Sequence, residues 1–261
     1  MKRLISLVLS FAMLLSAIPF SIQAEATDII SEVQHSSTKA TEAALFTPVG
    51  LEDTLMRGSG DFSSTLVSWE NYLSVTENAE GGLHFSFDSA PGTVCECLTQ
   101  RLSLDGLQLR LENFSATQGK IALAFGVGGL SNRACFGLIF DAASGEIHAA
   151  TNAGDSGGAK LAVVDADLGD SDTDPLFQAD AFETSWISSR EMILGFRKSG
   201  IDYIVTVNLD GTEYSSVLDR SIVEAVAAFR PEDCYLTVMA HSNLPKVSFD
   251  LLGIYREIVP A

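Results

Sequence analysis

The sequence predicts an all-β protein, a two-sheet antiparallel sandwich with one short helix in its C-terminal third. Three observations predict it. Apolar and polar residues alternate with a period of two over most of the chain after Leu51. The alternating runs are separated by turns built from Gly, Asn, Asp and Ser. No helices intervene at regular intervals, as a parallel α/β sheet would require.

The N-terminus comes first. Lys2 and Arg3 precede an uncharged apolar run, "LISLVLSFAMLLSAIPF", and "IQAEA" sets small residues around Ala24 and Ala26. This is the layout of a secretory signal peptide over residues 1–26. Ser6, Ser10, Ser16 and Pro19 interrupt the run and make it marginal for a bilayer span. Cleavage is therefore expected, with a secreted product that is extracellular or on the cell surface and has no membrane span. Residues 27–50 are rich in Ser, Thr, Ala and Glu and poor in aromatics; they read as a linker or loosely attached segment. The compact domain is expected over residues 51–261.

Within it, "GGLHFSFD" sets Leu83, Phe85 and Phe87 on one face of a strand and His84, Ser86 and Asp88 on the other. "LQLRLENF" opposes Leu107, Leu109 and Leu111 to Gln108, Arg110 and Glu112, and "KIALAFG" groups Ile121, Leu123 and Phe125. "CFGLIFDAASGEIHAAT" reads as a hairpin about "DAASG". "EMILGFRKSGIDYIVTVNLDG" reads as a second, turning at "KSG" and ending on the turn signal "DG". "CYLTVMAHS" and "KVSFDLLGIYRE" complete the strands. "DRSIVEAVAAF" is the helix: Ser221 and Glu224 stand at capping-box spacing, Ile222, Val223, Val226 and Phe229 form the stripe, and Pro231 stops it.

Charge and cysteines bound the function. Sixteen Lys and Arg against thirty-four Asp and Glu give a net charge of −18. Such a chain is repelled by nucleic acid and anionic lipid, so both are excluded as partners. Four cysteines, Cys95, Cys97, Cys135 and Cys234, permit disulfides in a secreted chain. They sit in apolar, strand-like text, so buried free thiols are an equal alternative. The lone C-x-C pair disfavours zinc.

The late strands carry a resemblance. "SWISSREMILGFRKSGIDYIVTVNLDG", "EDCYLTVMAHSN" and "VSFDLLGIYRE" resemble the concanavalin A-like lectin/glucanase jelly roll, in its LamG-like form, from about Leu51 to Glu257. The resemblance implies two antiparallel sheets packed face to face, and a relation to lectins, adhesion modules and glycoside hydrolases. Hydrolases of this family resemble E-x-D-x-x-E or E-x-D-x-E on one strand, and neither pattern occurs here. Glu96, Glu112, Glu146, Glu191 and Glu213 each lack a second acid at that spacing. There is also no H-E-x-x-H and no phosphate-binding Gly loop. "NFS" at Asn113 matches a glycosylation sequon that a bacterial host would leave unused.

A non-catalytic binding or adhesion module for glycan or another cell-surface ligand is the leading expectation. A glycoside hydrolase with an unrecognised acid pair is the alternative, and a structural module of a larger envelope protein is the third. Sugar would be held by stacking on aromatic faces and by polar side chains. Trp69, His84, Arg110, His148 and Trp186 are the candidates, with core packing the competing role for both tryptophans. The densest chemistry is "VVDADLGDSDTDP", with Asp165, Asp167, Asp170, Asp172 and Asp174. Started at Asp170, an EF-hand frame meets Pro175 at position six and Ala181 at twelve; started at Asp165, it meets Gly169 at five. The loop is thus a solvated connector or a weak calcium site, with Kd of about 10⁻⁴–10⁻³ M.

Overall fold

The computed structural model describes residues 46–50, 54–59, 72–89, 94–126, 134–153, 161–164, 174–224, 229–240 and 244–256. In chain order the first strands are β1 (Phe46–Pro48), β2 (Thr54–Ser59), β3 (Leu73–Glu77), β4 (Leu83–Asp88) and β5 (Val94–Leu102). Then come β6 (Leu107–Gln118), β7 (Lys120–Gly126), β8 (Ala134–Asp141), β9 (Ile147–Ala153) and β10 (Ala162–Val163). The last are β11 (Glu191–Ser199), β12 (Asp202–Leu209), β13 (Thr212–Asp219), β14 (Cys234–Ala240) and β15 (Lys246–Arg256). Among the described residues one α-helix, α1 (Arg220–Glu224), stands between β13 and β14.

The strands form two antiparallel sheets. The first runs β13-β12-β11-β6-β15-β4-β3, with β1 also pairing β15. The second runs β10-β9-β8-β7-β14-β5-β2. This is the jelly-roll sandwich that the alternation predicts, with the inward residues of both sheets as its core.

The sheets differ in their outer faces. On the second sheet Cys95, Ala122, Ala124, Cys135, Ile139, Ala150 and Met239 form a second buried cluster on the side away from the core, and Leu161 packs over Gly137. Its strands therefore bury both faces, as the unbroken burial of β7 shows. The first sheet alternates cleanly: β4 and β12 bury every second residue and leave mostly polar ones between, Ile204 being the apolar exception. An antiparallel sheet with one packed face and one wet face reads in this way.

An aromatic stack holds the middle of the first sheet. Phe249 lies between Phe85, at 5.3 Å, and Phe114, at 5.1 Å, with all three rings near-parallel. Trp186 meets Phe114 and Phe140 edge-on and donates its indole N–H to the Gly145 carbonyl at 2.7 Å. At 1 % exposure Trp186 is core. Of the two roles the sequence left open for it, Trp186 takes core packing: the hydrophobic gain of burying the indole, with its one polar atom satisfied, sets its place.

Two further expectations sharpen. All four cysteines are buried thiols outside any disulfide, and burial pushes the Cys135 and Cys234 thiols up to about 12. Such thiols stay protonated and inert. The helix cap is Asp219 rather than Ser221: Asp219 Oδ1 accepts from the Ser221 N–H and hydroxyl, both at 2.7 Å. Glu224 instead pairs with Arg220 one turn back. No helix among the described residues is long and apolar enough to cross a membrane.

Candidate functional site

Alternation places the site. In β4, β15 and β6 the residues next to the stacked Phe85, Phe249 and Phe114 are His84, Asp250 and Asn113. The rings point into the core, so their neighbours must point out onto the first sheet. Antiparallel register then sets Glu191 (β11) opposite Glu112 (β6), Glu112 opposite Asp250 (β15), Asp250 opposite His84 (β4), and His84 opposite Thr76 (β3). Directly opposed side chains lie about 4.5–5.5 Å apart at Cβ. A transverse row of three acids, one histidine and one hydroxyl thus crosses five strands.

Hydrogen bonds hold the row in two groups, one about Asp250 and one about Arg110. His84 Nδ1 donates to Asp250 Oδ1 at 2.7 Å, and Asn113 Nδ2 donates to Asp250 Oδ2 at 2.8 Å. Asn113 reaches Asp250 because the chain bulges there. Its φ of +53° is left-handed, a conformation Asn tolerates better than most residues, and it lets Glu112 and Asn113 both face outward. The Asn113 N–H donates to the Arg190 carbonyl at 2.9 Å, fixing the bulge to the start of β11. Arg110 spans two acids: its Nη2 donates to Glu112 at 2.8 Å, and its Nε lies 2.8 Å from Glu191, off the N–H axis, as a Coulombic contact.

The charge in the row is not balanced. Burial raises the Glu112 carboxyl above its ordinary value; Arg110 opposes this, and Glu80 and Glu191 add to it. Glu112 therefore holds its proton more readily than a free glutamate does.

Further rows lie above and below. On one side Tyr255 (β15), Gln108 (β6), Gly195 (β11), Thr206 (β12) and Ser215 (β13) stand opposite one another in turn. Over this row is a hollow of about 330 Å³ bounded by Gln108, Gly195, Arg197, Thr206, Glu213 and Tyr255. On the other side Ser115 (β6), Ser248 (β15), Ser86 (β4) and Ser74 (β3) make a row of four hydroxyls. A hollow of about 310 Å³ lies there, bounded by Ser86, Asp88, Ser115, Thr117, Lys246 and Ser248. Both fall at the lower end of ligand-pocket size. A third hollow of about 250 Å³, near Arg101, Asp105 and Asp233, lies by the turn before β6 and shares Gly106 with the hollow over Gly195.

His84 and Arg110 are thus brought together, through Asp250 and Glu112. His148 is not: it lies on the outer side of the second sheet, opposite Ile139, with its Nε2 3.1 Å from Glu146. Trp69 lies outside the described residues. So do Asp165, Asp167, Asp170 and Asp172, while Asp174 is described and exposed. Among the described residues no three His, Cys, Asp or Glu are grouped to hold a metal. Glu112, Asn113, Glu191 and Asp250 were not legible as a unit, because the acids assemble across strands while the familiar hydrolase pattern runs along one. The break in alternation at "ENF" was the available signal for the bulge.

No family model matches the chain, and no curated protein matches it. Among solved structures it is similar to a legume lectin-like domain from Entamoeba histolytica, at 11% identity and TM-score 0.46, covering 82% of this chain and 96% of that one. It is also similar to the carbohydrate-binding module CBM66 from Bacillus subtilis, at 9% identity and TM-score 0.44, covering 78% and 96%. A β-glucanase from Bacillus licheniformis is similar at 10% identity and TM-score 0.42, covering 81% and 95%. These are concanavalin A-like lectin and glucanase sandwiches.

Proposed function

We propose that this protein is a secreted carbohydrate-binding module whose binding surface is the outer face of the first sheet. One observation carries the reading. The outer face of the first sheet sets two hydrogen-bonded groups side by side, His84 with Asp250 and Arg110 with Glu112, with hydroxyl and amide rows and a hollow on each side. Sugars present many hydroxyls, and recognition needs fixed donors and acceptors at matched spacing. Here Asn113 and His84 orient Asp250, and Arg110 is oriented by two acids, so these groups are held in place before a ligand arrives.

The test is calorimetric titration with hexamers of β-1,4-glucose, β-1,3-glucose, β-1,4-xylose and α-1,4-glucose. At least one should bind, and Arg110→Ala should weaken it by about tenfold or more. Silence from every hexamer, or an Arg110→Ala variant that binds as the parent does, would sink the reading.

A second reading is favoured by the direct opposition of Glu112 and Asp250. Retaining glycosidases hold two carboxyls about 5–5.5 Å apart, and the acid member keeps its proton near neutrality. Glu112 is raised in the required direction. Release of reducing ends from any bound glycan, abolished by Glu112→Gln while binding persists, would make the protein an enzyme. Binding without release leaves it a module.

A further inference from the structure

We propose that the hollow over Gly195 is the terminal subsite of this surface and takes one uncharged sugar residue at the end of a linear glycan. The proposal rests on the carbohydrate-binding reading and adds a direction, a length and a ligand class to it. The hollow sits where the row of Tyr255, Gln108, Gly195 and Thr206 loses one side chain. A Cβ at Gly195 would stand 2.4 Å from Thr206 Oγ1, so this position admits no side chain while the Thr206 hydroxyl keeps its place. What remains over the Gly195 backbone is flanked by Gln108 on one strand and by Thr206, whose hydroxyl leans over the glycine, on the other, with Tyr255 opposite Gln108.

Each wall suits a pyranose. An amide both donates and accepts, a hydroxyl does the same, and a phenol ring offers an apolar face to sugar C–H groups. Arg197 and Glu213 bring one charge of each sign, so the hollow favours neither anion nor cation.

The rest of the face sets direction and class. Gln108 and Ser115 are seven residues apart on β6, a run of about 20 Å once the bulge is allowed for. A chain that starts over Gly195 therefore crosses the acid row and reaches the serine row. On that path it meets Glu80, Glu112, Glu191 and Asp250 against Arg110 and His84. A polyanionic glycan would be repelled there, as it would by the net charge of −18.

Dimers to hexamers of whichever neutral hexamer binds should be titrated, with oligogalacturonate hexamer alongside. Affinity should climb with length, and Tyr255→Ala and Gln108→Ala should erase the last step, lowering hexamer affinity by about tenfold to the level of the shorter chains. Tyr255→Phe should keep the step, since it keeps the ring. An equal loss at every length, no loss at any, or oligogalacturonate binding as tightly as the neutral hexamer would overturn the subsite while the wider carbohydrate reading stands. If no oligomer binds, both fall.

Discussion

At Glu112 one carboxyl shows how the face is built and what it costs. Burial on a sheet surface, with Glu80 and Glu191 nearby, outweighs the hydrogen bond from Arg110, and the group is raised. An acid raised in the folded state contributes stability below its unfolded value, near 4.5, and loses it as pH rises through the folded one. At neutral pH the folded protein therefore carries this charge at a cost. Glu112→Gln removes the charge and keeps the shape. Its melting temperature should exceed the parent's at pH 7, and the gap should close as pH falls toward 4. A gap that is constant with pH would show that Glu112 ionises freely. Asp141 is the opposite case. Burial would raise it, but the hydrogen bonds from Lys120 and from the Ala143 and Ser144 N–H groups prevail and hold it low. Such a group stabilises above its unfolded value, near 3.8, and that contribution is lost as pH falls through the lower folded one. Polar residues of this kind were readable as outward-facing from the period of two. Their partners were not, since register between distant strands leaves no mark in either strand alone.

At the scale of elements, the tight corner that carries the chain from β6 in the first sheet to β7 in the second turns on Gly119, whose φ is +85°. A Cβ there would lie 2.5 Å from Pro245 Cα, backbone that cannot swing away. Gln118 adds a hydrogen bond to the Leu244 carbonyl at 2.8 Å, so the turn also anchors the approach to β15. Gly119→Ala should cost about 1–3 kcal/mol through strain and clash. A thermal melt should fall by several degrees, at about 2–4 °C per kcal/mol for a domain of this size. An unchanged midpoint would mean the turn rearranges without cost. Elements of this kind were largely legible: the strands at Leu83, Leu107, Lys120, Glu191 and Lys246 follow from alternation, and the turns from their glycines. The helix was legible in place but not in its cap. Asp219 ends β13 and caps α1 at once, and strand text hid its second role.

For the whole molecule, the difference between the sheets decides where ligand can act. The second sheet buries both faces, down to the alanines at 122, 124 and 150, whereas the first keeps a polar face with two hollows. The sandwich was predictable from period and turns. The distinction between the sheets was not, because "KIALAFG" shows apolar residues on both sides without showing that both are covered. The acid row was hidden for the same reason that it is rigid: Glu191, Glu112, Asp250 and His84 come from four strands far apart in the chain, locked by the Phe85–Phe249–Phe114 stack beneath them. The most direct test of this account is to add the same four neutral hexamers in turn to ¹⁵N-labelled protein and follow the backbone amides. The predicted shifts gather at residues 84–86, 108–115, 191–195 and 248–255. Shifts confined to the second sheet, or to the sandwich end around Arg101, Asp105 and Asp233, with the first sheet silent, would contradict it.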